Sequence, residues 1–335
     1  MKHNIDVLKA RAKIVSGMRS FFDSLGFVEV ETPVRIAAPA PEPNIDCPEV
    51  SVPRLSGGEV TYLRASPELQ MKKLLAVGMD RIYQIGPCFR DGEKGSRHNP
   101  EFTMIEWYRK GATYLDILED TKSLYAALLA KGVTAGAVAG TGCGTGERPL
   151  ENWGETSEKL GRDLWKTGER PLERLKFESE KVDFKEITVR DAYLSWAGWD
   201  PWEKWDQDRF EFDMATKIEP ALKTFGAVFL MDYPPQAASL AKIRDDVAER
   251  WEFYVNGIEL ANCFTELCDP EEQRRRFLAA KEERRELNEA DYPIDEEFLS
   301  VLGDVRSAAG VALGVDRLVM TLLGVNDISL VRCDG

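Results

Sequence analysis

The chain has 335 residues, 43% of them hydrophobic, and a formal net charge of −14. That is enough chain for one large catalytic core. No apolar window reaches the ~20 residues of a membrane span, and the acidic balance argues against a general nucleic-acid binder, which needs clustered Lys and Arg. Two histidines, His3 and His98, leave almost nothing to build a histidine-bound zinc site, and six cysteines without a C-x-x-C pair fit a reducing compartment. Met1–Ala10 has no secretory pattern, so the expectation is a cytoplasmic protein without membrane contact.

Residues 5–25 place Ile5, Leu8, Ile14, Met18, Phe21, Phe22 and Leu25 at near-helical spacing before Gly26, which predicts a long amphipathic helix. Phe27 to Pro33 alternates apolar and acidic residues and reads as a short strand, and Pro39, Pro41, Pro43 and Pro48 mark a loop. Short β-rich runs follow at Tyr62–Arg64, Arg81–Ile85, Phe102–Tyr108 and Val228–Met231, with a helix over 66–78 between the first two. Residues 131–186 differ in composition: Gly132–Gly146 is rich in Gly, Ala and Thr, and Thr-Gly-Glu-Arg-Pro-Leu-Glu at 145–151 recurs at 167–173. This reads as an insertion in one domain spanning 1–335. Helical patterns return at 188–223 and 270–290, and a last helix covers Asp316 to Leu323. Strands joined by tight loops suggest an antiparallel sheet with helices packed around it, an α+β arrangement.

Three stretches concentrate polar residues. Phe89 to Phe102 is a glycine-containing loop in which Arg90, at a strand end, is placed to pair with phosphate oxygens. A solvated, charged hairpin explains the same residues. Glu249 to Leu267 spaces Glu252, Glu259 and Glu266 by sevens around the hairpin signal Asn256-Gly257. If Glu252 and Glu259 face each other across it, they could hold Mg²⁺; an exposed polar strand face is the alternative. Gly310 to Met320 runs an apolar strand into a helix whose first turn holds Asp316 and Arg317, a place for an anion, although Asp316 as an N-cap explains part of it.

In this order the three stretches resemble the signature motifs of class II aminoacyl-tRNA synthetases. Glu31-Thr-Pro33 is similar to the end of motif 1, Phe89 through Glu106 to motif 2, and Gly310 through Met320 to motif 3. Ser66-Pro-Glu68, His98-Asn-Pro-Glu-Phe-Thr103 and Glu259-Leu-Ala-Asn262 with Glu266-Leu267 resemble the lysine subgroup. Only a few residues precede the opening helix, which leaves no room for the subgroup's N-terminal anticodon-binding OB barrel. That layout resembles the elongation factor P lysyltransferase family, as do Trp107-Tyr-Arg109 and Gly310-Val-Ala-Leu-Gly314, with Ala312 where lysyl-tRNA synthetases usually have glycine.

The resemblance implies ATP and Mg²⁺ as cofactors, lysine or (R)-β-lysine as substrate, elongation factor P as acceptor rather than tRNA, and a homodimer built on the first helix. It implies Arg90 on the α-phosphate and Arg317 on the γ-phosphate, with Asp91, Gly92, Glu93, Asn99, Leu260 and Gly314 around the nucleotide and Phe102 on adenine. Glu252 and Glu259 resemble the metal carboxylates. Ser66, Pro67, Glu68, Tyr108, Asn262, Glu266 and Ala312 would surround the amino acid, with Glu68 at the amino group nearest its carboxylate and Glu266 and Tyr108 at its distal ammonium. Two departures stand out. Arg90-Asp91-Gly92 replaces the family's Arg-Asn-Glu, moving Glu93 one place along, and Cys263 stands where glycine is usual, expected to narrow the pocket floor. A minimal lysyl-tRNA synthetase and a catalytically silent paralogue are the alternatives.

Overall fold

The computed structural model describes residues 5–51, 60–130 and 182–332. The repeated heptapeptide, most of the 131–186 insertion, His3, Cys143 and Cys333 lie outside them. Helix α1 (Ile5–Ser24) is followed by strand β1 (Val28–Glu29). The rest of the expected strand at 27–33 is held another way. Thr32 N–H and Oγ1–H both donate to Gln84 Oε1, and buried Arg64 donates to the carbonyls of Thr32 and Pro33, so side chains replace a ladder that Pro33 could not continue.

Strands β2 (Arg35–Ile36), β3 (Glu49–Ser51) and β4 (Val60–Leu63) make a small sheet. Next come α2 (Glu68–Ala76), β5 (Arg81–Phe89), β6 (Glu101–Lys110) and α3 (Tyr114–Ala130), a helix for which the sequence reading names no element. Strand β7 (Phe184–Thr188) takes the last residues assigned to the insertion and runs into α4 (Val189–Ala192). The helical pattern at 188–223 is not continuous. It runs on from α4 as a π-helical turn to Ala197, breaks where Gly198 turns left-handed, and resumes as α5 (Gln207–Asp213), which a π-helical stretch over Met214–Ile218 joins to α6 (Glu219–Leu222). Strands β8 (Ala227–Tyr233), β9 (Ile243–Arg244), β10 (Val247–Val255) and β11 (Ile258–Thr265), helices α7 (Pro270–Glu286) and α8 (Glu296–Val305), strand β12 (Ala308–Gly314) and helix α9 (Val315–Leu323) complete the order.

The main sheet has nine strands in the order β1-β5-β6-β12-β11-β10-β8-β7, with β9 on β10. Its interior is antiparallel, as the tight loops require, and its two edges pair in parallel: β1 with β5, and β7 with β8. One face lies under α1, α3 and α9, where Ile14, Phe22, Leu124, Leu318 and Leu322 meet Ile105, Trp107, Cys263 and Val311. Full burial of each large apolar side chain contributes about 1.5–3 kcal/mol. The apolar face of α1 is thus spent on its own sheet, so a dimer would have to use other faces of that helix.

On the opposite face a cluster around Tyr193, Phe210 and Leu230 covers β8 and β10. A second, around Leu69, Phe277 and Leu302, covers the β5 side. Strands β6, β12 and β11 stay open between the two clusters, and the cleft forms there. No helix among the described residues is long and apolar enough to cross a membrane.

Candidate active site

Strand alternation decides which side chains reach the cleft. From β6 it receives Glu106 and Tyr108, from β12 Gly310 and Ala312, and from β11 Leu260, Asn262 and Phe264, with Glu266 just beyond the strand's end. Cys263, one residue out of phase with Asn262, points into the core on the other face, so it does not narrow the pocket floor. The volume of the cleft is about 210 Å³.

One end of the cleft is acidic and buried. Glu106, Tyr108 and Glu266 are each at most 3% exposed. Tyr108 donates to Glu106 Oε2 at 2.7 Å and the Ser66 hydroxyl lies near the same carboxyl, while Glu106 Oε1 makes no well-formed hydrogen bond among the described residues. Burial first, and Glu68 second, push the Glu106 carboxyl up to about 8. Lys72, 1% exposed, forms ion pairs with Glu68 at 2.5 Å and with Glu266. Glu68 and Glu266 therefore converge on the Lys72 ammonium. Sequence reading missed Lys72; its one signal was the i,i+4 spacing from Glu68.

Gly310 makes this end possible. A Cβ there would stand 2.1 Å from the Tyr108 ring and 2.9 Å from Glu266 Oε1. Gly310→Ala is expected to displace both side chains and to cost about 1–3 kcal/mol of stability, readable as a lower urea midpoint. An unchanged midpoint would mean that the two strands separate freely.

The other end is cationic. Arg90 lies 5.3 Å from the centre of the Phe102 ring, and Arg90 Nε and Asn99 Nδ2 are buried donors without partners among the described residues. Gly92 takes a positive φ of 76° and turns the chain so that Glu93 returns to line the cleft, 3.6 Å from Arg90. The displaced glutamate thus still reaches the site, whereas Asp91 and Gly92 are exposed and, like Pro67, do not line it. Gly314 does line it, at the entry to α9. Arg317 donates to the Glu259 carbonyl at 3.0 Å and lies 3.4 Å from its carboxylate, with His98 against its other nitrogen. Burial, and then Arg317, hold His98 below its ordinary pKa.

Asp316 is not an N-cap. Gly314 holds that position, and the Asp316 carboxylate accepts from Thr103 N–H at 2.8 Å and from Arg11 at 2.6 Å, which ties α9 to β6 and α1.

Asn256 and Gly257 form the expected hairpin turn, both with positive φ. The two-residue turn pairs Val255 with Ile258 and Tyr254 with Glu259, and the register shift between Phe253 and Tyr254 carries Glu252 on to Asn262 where an unshifted ladder would reach Ala261, so the two carboxylates are not opposite one another in either register. Glu252 takes hydrogen bonds from Arg250 at 2.5 Å and Tyr254 at 2.6 Å. It lines not the cleft but an adjoining cavity of about 710 Å³, which Glu259 and Asn262 also border. Burial, and next Glu252, raise the Glu259 pKa.

The proline loop is part of the site, a role its composition did not disclose. Buried Arg284 of α7 donates to the carbonyls of Glu42, at 2.7 Å, and Ile45, at 3.1 Å, and to Asp46, which holds Glu42 and Ile45 over the cleft.

A profile of the tRNA synthetases class II (D, K and N) matches residues 2–333. The chain is 35% identical over 329 residues to the elongation factor P–(R)-β-lysine ligase of Proteus mirabilis, covering 96% of this chain and 92% of that one. It is also 35% identical over 337 residues to the protein of that name from Vibrio cholerae, covering 98% and 94%. With the motif residues gathered on one open sheet face, these likenesses place the chain: it belongs to the class II tRNA synthetase family of the D, K and N type, in the branch that includes the elongation factor P–(R)-β-lysine ligases.

Proposed function

We propose that this protein is an ATP-dependent ligase that activates lysine or (R)-β-lysine as an aminoacyl adenylate and transfers it to a lysine side chain of elongation factor P. The observation that carries the reading is the polarity of one cleft: buried carboxylates at one end, and at the other Arg90 and Arg317 with the buried donors Arg90 Nε and Asn99 Nδ2 left without hydrogen bonds among the described residues. A diamino acid fits its ammonium groups to the first end and its carboxylate toward the second. The proposal treats 1–335 as one catalytic domain working in the cytoplasm.

In the first step an amino acid carboxylate oxygen attacks the α-phosphorus of ATP, the α–β phosphoanhydride bond breaks, and pyrophosphate leaves. Arg90 and Arg317 are proposed to hold phosphate oxygens at the two ends of the triphosphate and to offset the charge that builds between nucleophile and phosphorus. Asn99, Phe102 and Glu93 would hold the base, with Leu260 and Gly314 along the nucleotide. Ser66, Asn262 and Ala312 would line the amino acid beside Glu68, Glu106, Tyr108 and Glu266. Glu252 and Glu259 border one cavity and would hold Mg²⁺, which supplies neutralisation of phosphate charge, once Arg250 and Tyr254 released the Glu252 oxygens that they bond here. In the second step the acceptor amine attacks the adenylate carbonyl, an amide forms and AMP leaves.

Transfer tests the reading. With ATP and labelled amino acid, label should end on elongation factor P. Label on tRNA instead would make the chain a minimal synthetase, and label on neither a silent paralogue.

The pH dependence follows from Glu106. Its carboxyl, pushed up to about 8, is mostly protonated at neutral pH, and an ammonium ligand favours the ionised form. Hence kcat/KM for the amino acid is expected to rise as pH climbs from 7 toward 8, about tenfold per unit well below the pKa. Glu106→Gln should abolish that limb. A limb that survives the substitution would mean another group causes it. The stability sign is opposite: a raised carboxyl pKa contributes stability that is present below about 4.5 and lost as pH rises through about 8.

A further inference from the structure

Lys72 is a charged side chain buried behind the wall of the cleft, 1% exposed, with its ammonium against two carboxylates that do line it, Glu68 and Glu266. It projects from the middle of α2, whose Leu69, Met71 and Leu75 are fixed in the core, and Glu68 is one turn back on the same helix. Burial pulls the ammonium pKa down, but Glu266 and Glu68 together more than offset this, and the result is raised, so the group stays charged. A buried charge that left these partners would lose both ion pairs at once, a cost that holds it in place.

The contact also apportions oxygens. Lys72 meets Oε1 of Glu68 and Oε2 of Glu266. Glu266 Oε1 faces Gly310, and Glu106 Oε1 is buried without a well-formed hydrogen bond among the described residues. Glu68 on α2 and Glu266 after β11 stand against the ammonium, Glu106 on β6 lies beyond them, and Glu42 in the proline loop is faced by Arg90 and Arg250 as well as by Lys72.

We propose that Lys72 is a positioning residue, a permanent counter-ion that offsets the charge of Glu68 and Glu266 and fixes their spacing, so that the amino acid is read by the oxygens Lys72 leaves free. The proposal rests on the ligase reading above. It makes the pocket a preformed arrangement instead of a set of mutually repelling carboxylates that the substrate must organise on arrival. The contrasting account is that Lys72 stands in for the substrate ammonium and is displaced by it.

The experiment is ATP–pyrophosphate exchange by the wild-type protein, Lys72→Met and Lys72→Arg, with L-lysine and (R)-β-lysine each varied at saturating ATP, then ATP varied. For Lys72→Met the expected result is an amino acid KM raised about 10²-fold, with the ATP KM within about threefold of wild type. Lys72→Arg should recover part of the loss, because it restores the charge with a planar fork in place of a compact ammonium. An amino acid KM unchanged or lowered in Lys72→Met would overturn the proposal, as would Lys72→Arg being no better than Lys72→Met. If Lys72→Met does not fold, a crystal structure of the wild-type protein with L-lysine decides. Lys72 still bridging Glu68 and Glu266 beside the ligand supports the proposal, and Lys72 displaced from them overturns it. Wild-type exchange assayed alongside separates the two claims: its absence removes the ligase reading itself, whereas exchange with insensitive variants removes only the role of Lys72.

Discussion

Arg317→Ala is expected to lower amino acid-dependent ATP–pyrophosphate exchange by on the order of 10³-fold while leaving the fold intact. The side chain is part-buried at the start of α9, and its contacts in this structure are the Glu259 carbonyl and carboxylate, the Arg97 carbonyl and His98. None belongs to the hydrophobic core, so the melting temperature should move by only a few degrees. A guanidinium held by two carbonyls and shared with a carboxylate is oriented before a ligand arrives, which favours transition-state stabilisation over loose attraction. The loss should therefore appear in kcat. Lysine at this position retains charge but not the fork, and Arg317→Lys should recover only a part. Exchange by Arg317→Ala within tenfold of wild type would remove the arginine from the proposed role.

Glu266→Gln is expected to raise the amino acid KM by about 10²–10³-fold and to weaken preference for diamino acids over neutral analogues. Glu266 is 3% exposed, and its Oε1, the oxygen that Lys72 does not meet, faces Gly310 in the cleft. Burial raises its pKa and Lys72 pulls it back, so the carboxylate depends on its cation for ionisation. Replacement by the amide keeps the shape and removes the charge, but it also leaves Lys72 with only Glu68, and the two effects compound. Because ATP contacts would be untouched, the ATP KM should stay within about threefold. Equal losses for both substrates would point to general distortion instead.

Much of the fold was legible because its signals are local. The α1 spacing, the Asn256-Gly257 turn and the apolar run from Gly310 into α9 each depend on nearest neighbours in the chain. Where the reading failed, partners come from far away. Thr32 looked like a strand residue because its bond to Gln84 is absent from any sequence window. The Asp316 carboxylate resembled a cap until Thr103 and Arg11 were beside it. The parallel edges of the sheet depend on which strand ends its path, a property of topology rather than of β1 or β7 composition.

The site divides the same way. Motif spacing brought Arg90, Asn99, Phe102, Glu259 and Arg317 to one cleft, along with Ser66, Glu68, Tyr108, Asn262, Glu266 and Ala312. It misplaced Cys263 because a period of two was not applied from Asn262, and the condition that Glu252 and Glu259 face each other fails on the turn itself, which pairs Glu259 with Tyr254. The Arg284 clamp on the proline loop joins segments distant in the chain, and only the folded arrangement reveals it.

The central claim is that this cleft forms an adenylate with a diamino acid, and ATP–pyrophosphate exchange measures that step directly. With L-lysine, (R)-β-lysine, a neutral analogue of the same length and no amino acid in parallel, exchange should be stimulated by at least one of the two diamino acids and not by the analogue. Exchange that is absent with both, or equally strong with the neutral analogue, would contradict the account.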